Sequence, residues 1–209
     1  MWAIFVKGGP VMIPLALLSV VGLAVVIEKL LTLRSSRVIQ SEVLGCIESI
    51  RTPADIPLAV KICERFDTPF ANTVRAGLLE AGKPEHIVRQ AMEDTGRREV
   101  KRLERYLVLL ETVAAAGPLL GLLGTVTGMI EVFSVISVSG VGQTGVLSGG
   151  IAQALITTVF GLIIGIPALI AYNLLDARVE GLVIRIDTYS HGLIKQLTVM
   201  QGASGGGGR

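Results

Sequence analysis

The fold is decided by an uncharged stretch, GIAQALITTVFGLIIGIPALIAYNLL, from Gly150 to Leu175. A second uncharged stretch, TVAAAGPLLGLLGTVTGMI, extends from Thr112 to Ile130, and a third apolar run from Val11 to Ile27. A membrane span needs about 20 mainly apolar residues to cross about 30 Å of hydrocarbon. We therefore predict an all-α integral membrane protein with long helices that extend into a cytoplasmic helical domain. Its three transmembrane helices are expected at residues 10–31, 112–138 and 150–175.

The charged residues are segregated along the chain, although the net charge is only +2. The basic residues outside the segment between Glu28 and Glu111 are Lys7, Arg178, Arg185, Lys195 and Arg209. Basic residues collect on the cytoplasmic side of a membrane. Residues 32–111 and 176–201 are therefore predicted to be cytoplasmic, with residues 1–9 and 139–149 outside. The Gly/Ser-rich residues 202–209 are predicted to form a disordered tail.

The apolar run Val11–Ile27 fits either a first transmembrane helix or a cleaved signal peptide. Only Lys7 precedes it as a basic residue, and no clear A-x-A cleavage motif follows before Glu28. We therefore favour a transmembrane helix, which Leu30, Leu31 and Leu33 would extend.

Two short helices are predicted in the cytoplasmic segment. Thr52-Pro53 and Thr68-Pro69 each combine an N-cap residue with a first-turn proline. These signals open helices over Pro53–Arg65 and Pro69–Ala81, and Gly82 is expected to end the second of them.

A third, longer helix is predicted from Pro84-Glu85, because no proline interrupts it before Pro118. If it runs unbroken into the second span, Pro84–Val138 extends for about 80 Å. Its many neighbouring acidic and basic residues are interpreted as a solvated helix face.

Small residues recur at helical spacing in the second and third spans. They are Gly117, Gly121, Gly124 and Gly128 in the second, and Ala154, Thr158, Gly161, Gly165 and Ala168 in the third. Small residues at this spacing let helix backbones approach closely in lipid. The pattern alone favours packing seams over a pore.

Two features nevertheless favour a narrow water-filled path. In antiparallel helices, Thr125 and Thr158 reach comparable depths, and Pro118 leaves a backbone carbonyl to be satisfied by a neighbour or by water. Titratable side chains are absent at mid-membrane, because Glu111 and Glu131 lie near the two ends of the second span. A proton relay normally needs such a group, so another polypeptide would have to supply the acid.

Other classes of function find little support. The basic residues alternate with acidic ones and lack an aromatic stacking platform, which argues against nucleic acid. Cys46 and Cys63 have no CxxC or HxxxH spacing around them, and reduced structural thiols are expected. With no nucleophile–base pair, phosphate loop or metal cluster, neither an enzyme nor a cofactor is predicted.

The motifs of the last two spans resemble the MotA/TolQ/ExbB proton-channel family. They are GPLLGLLGTVTGMI at Gly117–Ile130, GIAQALITT at Gly150–Thr158, and GLI with IPA between Gly161 and Ala168. The three-span layout is similar to the ExbB/TolQ branch, and a flagellar stator of the MotA type is disfavoured because a fourth span is missing.

The resemblance implies a homopentamer in a bacterial inner membrane, with the N-terminus periplasmic and the second and third spans lining a central pore. Two copies of an ExbD/TolR-like single-span partner would occupy that pore, and the partner's aspartate would carry the proton. Proton flow would drive movement that is passed to outer-membrane transporters by a TonB-like protein. In a TolQ-like role, a TolA-like protein would serve envelope integrity instead.

Residue by residue, the resemblance implies that Thr125 and Thr158 are the pore-facing threonines. Gln153 stands where well-studied ExbB proteins have a glutamate, so it can orient water but cannot titrate. Pro118 and Pro167 match family prolines and are interpreted as kinks. A non-conducting scaffold is the alternative from another class, in which bulky groups at Gly121 or Gly165 matter and threonine changes do not.

Overall fold

The computed structural model describes residues 8–139 and 144–205. These residues are helical and contain no strand. The helices are α1 (Met12–Thr32), α2 (Ser35–Val38), α3 (Ser41–Ser49), α4 (Ile56–Glu64), α5 (Pro69–Leu79), α6 (Glu85–Glu104), α7 (Leu107–Ser139) and α8 (Thr144–Gly205).

The chain divides into two compact units. The membrane unit contains the residues up to Lys29 together with Tyr106–Leu175, and the polar unit contains Leu30–Arg105 and the residues from Asp176 onward. Within the described residues, three helical segments are long and apolar enough to cross a membrane: Met12–Thr32, Leu107–Ser137 and Ser148–Gln201. The predicted all-α membrane architecture is therefore confirmed.

The helix that begins after Pro84 does not run unbroken to Val138. Helix α6 ends at Glu104 and α7 begins at Leu107. Between them Tyr106 has φ 72°, a left-handed conformation that is rare for a residue with a side chain. Such a conformation costs about 1–3 kcal/mol and persists only where the surroundings impose it. No glycine or proline lies at this break, so the sequence carries no signal for it.

The predicted third span and the predicted C-terminal helix form one continuous helix, α8, from Thr144 to Gly205, and the division between the two units falls within it, between Leu175 and Asp176. The charge at Asp176 marks a change in hydropathy, and nothing there removes a backbone donor or stops a helix. Residues 144–149 of the predicted outer loop and 202–205 of the predicted tail are helical as well. The rest of the tail, residues 140–143 and residues 1–7 lie outside the described residues.

The predicted starts of the two short helices are confirmed. A 3-10 turn, Pro53–Asp55, leads into α4, and its Asp55 carboxylate accepts the backbone N–H of Thr52 at 2.8 Å. At α5 the Thr68 hydroxyl accepts the N–H of Ala71 at 3.4 Å. Gly82, with φ 96°, turns the chain after α5. Helices α2 and α3 were not predicted.

The core of the polar unit is built on α5. Phe70, Ala71 and Val74 are fully buried, and the Phe70 ring lies 5.6 Å from that of Tyr189 on α8. Helix α8 also donates side-chain hydrogen bonds to the rest of this unit, from Gln196 to the Ile50 carbonyl and from Gln201 to the Lys83 carbonyl. Removal of aromatic and aliphatic surface from water is the dominant stabilising contribution to this unit.

A side-chain clip joins Asp67, two residues before α5, to α6. Both oxygens of Asp67 accept a hydrogen bond from the Arg102 guanidinium, each at 2.9 Å, and Asn72 donates to Asp67 at 3.2 Å. The Arg102 and Asn72 hydrogen bonds lower the pKa of Asp67 to about 2. Arg102 therefore makes a long-range contact in addition to the pairs expected along a solvated helix face.

The two threonine-bearing spans in the membrane unit pack backbone against backbone. A methyl group on Gly161 of α8 would lie 2.6 Å from the carbonyl oxygen of Gly117, and one on Gly121 would lie 3.0 Å from the carbonyl oxygen of Thr157. A methyl group on Gly124 would overlap the Thr157 side chain, which is fully buried. The small-residue stripes are therefore a packing seam within one chain.

We expect Gly124→Ala to lower the stability of the purified protein by about 1–3 kcal/mol, because the added methyl group cannot fit against Thr157. The matched control is Gly149→Ala on α8, where a methyl group would meet nothing within 4 Å. Thermal unfolding in detergent measures both. Combining Gly124→Ala with Thr157→Gly should recover part of the loss, and equal stability of the two alanine variants would contradict the seam.

The Asp67 clip predicts a pH dependence. Because the folded-state pKa of Asp67 lies below its ordinary value of 3.8, the clip stabilises the fold above about pH 4 and loses its effect as the pH falls through 2. Thermal unfolding at several pH values should show a small deficit for Asp67→Asn that shrinks toward pH 2. Asp94→Asn, an exposed change on α6, is the control, and a deficit that does not depend on pH would contradict this assignment.

Candidate functional site

Thr158 connects the two helices at the centre of the seam. Its hydroxyl donates a hydrogen bond to the backbone carbonyl of Gly121 on α7, with a distance of 3.2 Å between the two oxygens. The side chain is only partly buried. Gly121 permits this contact because it has no side chain to hold the backbones apart.

Thr125 lies four residues beyond Gly121 on α7, or about 6 Å along the helix axis. Its hydroxyl donates to the Leu122 carbonyl within the same helix at 2.6 Å, and the side chain is also partly buried. The Gly121 carbonyl, which accepts a hydrogen bond from the Thr158 hydroxyl, belongs to the same helix as Thr125. The two threonines are therefore about one helical turn apart in depth, as the sequence predicts for antiparallel spans.

The hydrogen bonds of the two hydroxyl groups define what they can still do. Each O–H is already donated to a backbone carbonyl, while each hydroxyl oxygen keeps acceptor capacity. The uncharged stretches Thr112–Ile130 and Val132–Leu175 contain no Asp, Glu, His, Lys or Arg. The threonines therefore offer two neutral acceptors in an apolar setting.

The structure places Gln153 away from this pair. It lies five residues before Thr158, about 7.5 Å along α8, and its side-chain amide contacts Gly9, ahead of α1. Gly9 has φ 73°, and a methyl group there would overlap the amide nitrogen of Gln153. The described geometry thus gives Gln153 a contact just ahead of α1, which the sequence did not predict.

The two prolines occupy different surroundings. Pro118 lies in the seam, where a methyl group on Gly165 would overlap its ring and would lie 3.1 Å from the Ala114 carbonyl oxygen. That carbonyl has no helical donor, because proline lacks an N–H. Pro167 is exposed on α8. The glycines predicted to pack, including Gly128, which faces Ala154, all lie close to the opposite helix.

Thr157 is a seam residue that the sequence analysis did not single out. It is completely buried, and its hydroxyl donates to the Ala154 carbonyl of its own helix at 2.8 Å. Adjacent positions on a helix differ by about 100° in direction, so Thr157 and Thr158 cannot have the same surroundings. Thr157, Gly161 and Gly165 follow one another at intervals of four residues, and this spacing could have identified Thr157.

Neither cysteine in the described part of the polar unit is an activated nucleophile. Cys46 and Cys63 are free thiols, and burial raises the pKa of Cys63 to about 11. A thiol with that pKa is protonated at neutral pH and is a poor nucleophile. In residues 8–139 and 144–205, no three His, Cys, Asp or Glu side chains are grouped to hold a metal ion.

Known proteins with similar sequences cover this site. The pattern of the MotA/TolQ/ExbB proton channel family matches residues 65–188. The chain is similar to the biopolymer transport protein ExbB-like 1 of Synechocystis sp., with 34% identity over 180 residues, which is 82% of this chain and 68% of the relative.

Two further relatives have different names. The Tol-Pal system protein TolQ of Haemophilus influenzae is 39% identical over 120 residues, 56% of this chain and 53% of that protein. The biopolymer transport protein ExbB of Xanthomonas campestris pv. campestris is 32% identical over 117 residues, 56% of this chain and 46% of that protein. With the family pattern matched over more than half of its length, the chain belongs to the MotA/TolQ/ExbB proton channel family.

Proposed function

We propose that this chain is the proton-conducting subunit of an ExbB/ExbD-type motor. Such a motor converts proton-motive force into work on a TonB-like protein for outer-membrane transport. The observation that carries the proposal is the placement of Thr125 and Thr158, two partly buried hydroxyl groups one turn apart between uncharged spans. Membership of a proton channel family supports the reading of these hydroxyl groups as part of a proton path.

The acceptor character of the two threonines suggests how a proton carrier would be held. A protonated carboxylic acid can donate one hydrogen bond, whereas a carboxylate can only accept. Thr125 and Thr158 keep their own protons engaged with backbone carbonyls. They therefore favour a neutral acid beside them, and a carboxylate would gain a donor only if a threonine released its carbonyl.

The acid would come from a second polypeptide, since the spans have none at mid-membrane. In the proposed assembly, five copies of this chain surround two copies of an ExbD/TolR-like single-span partner. The site lies in a bacterial inner membrane, with the N-terminus periplasmic and the C-terminus cytoplasmic. The excess of basic residues in the polar unit supports this orientation.

The TolQ-like role, with a TolA-like protein as the output partner, is a second candidate. It is favoured by one observation: the TolQ relative is 39% identical over 120 residues, against 32% over 117 residues for the ExbB relative. The match to the ExbB-like relative extends over 82% of the chain and favours the first candidate.

Thr158→Val removes the hydroxyl group and keeps the shape of the side chain. In liposomes that contain the chain and its single-span partner, we expect proton flux to fall by about 3- to 10-fold, the range for one lost hydrogen bond. A pH-sensitive dye inside the liposomes, under an imposed membrane potential, measures the flux.

Thr157→Val is the matched control, because its hydroxyl is buried in the seam and bonded within its own helix. It should leave partner-dependent flux unchanged. If neither variant alters the flux of a confirmed complex, Thr158 is not in the path. If the confirmed complex shows no flux at all, the scaffold alternative is favoured.

The two motor roles are separated by complementation. We expect this chain, expressed with its partner, to restore uptake in a bacterium that lacks its ExbB subunit, and not detergent resistance in one that lacks TolQ. Uptake through a TonB-dependent receptor and survival in detergent are the two measurements. Rescue of detergent resistance alone would replace the ExbB-like role with the TolQ-like one.

A further inference from the structure

The buried face of α1 contains one charged residue. Its buried residues are Met12, Leu15, Gly22, Val25 and Lys29. Lys29 is only 3% exposed, although a lysine at the end of a span can usually extend its ammonium group into water. Its ammonium nitrogen lies 3.7 Å from the Glu28 carboxylate, so the burial includes a partial charge balance.

The contact of Lys29 with Tyr106, just ahead of α7, has the same register as the apolar contacts between α1 and α7. A methyl group on Gly22 would lie 3.1 Å from Val113 of α7. Lys29 is seven residues after Gly22, and Tyr106 is seven residues before Val113, so both steps equal about two helical turns. As this antiparallel register requires, the Lys29 ammonium lies 5.8 Å from the centroid of the Tyr106 ring, within range of a cation–π interaction.

Tyr106 is also the residue at which the backbone is strained. Its φ of 72° lies in the break between α6 and α7, and its carbonyl accepts the N–H of Leu109 in the first turn of α7 at 3.1 Å. An aromatic residue held in this conformation indicates that surrounding contacts fix its position. The Lys29 ammonium is one such contact, at the start of the span that contains Thr125.

We propose that Lys29 and Tyr106 fix the register of α1 against α7 and thereby set the depth of the Thr125 turn. A single polar residue in an otherwise apolar helix contact specifies register at a cost in stability. A slip by one turn would separate the buried ammonium group from the ring, and a buried charge that loses a favourable contact is costly. The consequence for Thr125 rests on the proposed function, whereas the register itself does not.

A disulfide reports the register directly. A Cβ atom on residue 22 would lie 3.9 Å from the Cβ of Val113, within the 3.5–4.5 Å range of disulfides. The full chain, with Cys46→Ala and Cys63→Ala, would contain Gly22→Cys together with Val113→Cys. Two decoys replace Val113→Cys by Leu109→Cys or Ala116→Cys, about one turn to either side. The measured quantity, called the register ratio, is the rate of disulfide formation in the 22–113 pair divided by the rate in the decoy pairs.

We expect Lys29→Met to lower this ratio by about 30-fold, the effect of losing a desolvated cation–π contact. Lys29→Arg and Tyr106→Phe should preserve it, because each retains a cation over an aromatic ring. The matched control is the double variant Lys29→Leu with Leu30→Lys. It keeps a lysine at nearly the same depth but places it on the exposed face of α1. It should lower the ratio as Lys29→Met does, and an unchanged ratio in either variant would overturn the proposal.

Proton flux in the same variants separates this inference from the proposed function. If flux falls together with the register ratio and returns with Lys29→Arg, Lys29 is a positioning residue for the Thr125 turn. A ratio that falls while partner-dependent flux is unaltered would refute the link to Thr125. If the wild-type complex conducts no protons, the proposed function fails and the cross-linking ratio still decides the register.

Discussion

The membrane unit depends on the direct approach of two backbones, at Gly117 and Gly121 of α7 and Gly161 of α8. In lipid, apolar side chains gain little by leaving one hydrocarbon environment for another, so helices associate through close packing and hydrogen bonds. Glycine makes both available here, because it removes the side chain that would separate the helices and exposes the carbonyl that Thr158 uses. The Gly121 turn therefore supports the packing of the spans and the orientation of the candidate site together.

The two units satisfy different physical requirements. The polar unit buries Phe70, Val43 and Val74 completely, as expected where water drives apolar surface together. It then adds side-chain contacts between segments that are distant in sequence, including Arg185 to Ser35 at 2.6 Å. The membrane unit has no such driving force and relies on shape. A change of one methyl group is consequently more serious at Gly124 than at an exposed glycine such as Gly192.

Much of the fold follows from the sequence, because its main signals are local. Uncharged stretches predict spans, and the proline-based caps at Thr52 and Thr68 predict helix starts, since each depends on a few adjacent residues. The break at Tyr106 depends on contacts made after folding, and the continuity of α8 past Asp176 reflects the absence of any helix-stopping residue. The break at Tyr106 is a tertiary effect that sequence patterns do not reveal, whereas the continuity of α8 is consistent with its local sequence.

The sequence predicts the depths of the two threonines in the candidate site, but it does not predict the contact that Gln153 makes. The small-residue spacing and the antiparallel directions place Thr125 and Thr158 at similar depth, and the structure brings Thr158 to the turn that precedes Thr125. The contact of Gln153 with Gly9 could not be predicted, because it depends on a non-periodic turn ahead of α1. Thr157 could have been identified from the sequence, because it continues the four-residue spacing of Gly161 and Gly165.

The carbonyl of Gly121 has a consequence for hydration. A carbonyl oxygen has two lone pairs. The N–H of Thr125 bonds one through the regular helix pattern, and the Thr158 hydroxyl occupies the other. Both lone pairs of this carbonyl are thus used within the chain, and Thr157 fills the space beside Gly124. In the proposed proton channel, water at this level would bond to the threonine hydroxyl oxygens instead of the Gly121 carbonyl. A single chain would supply one wall of that channel, and another molecule would supply the opposite wall.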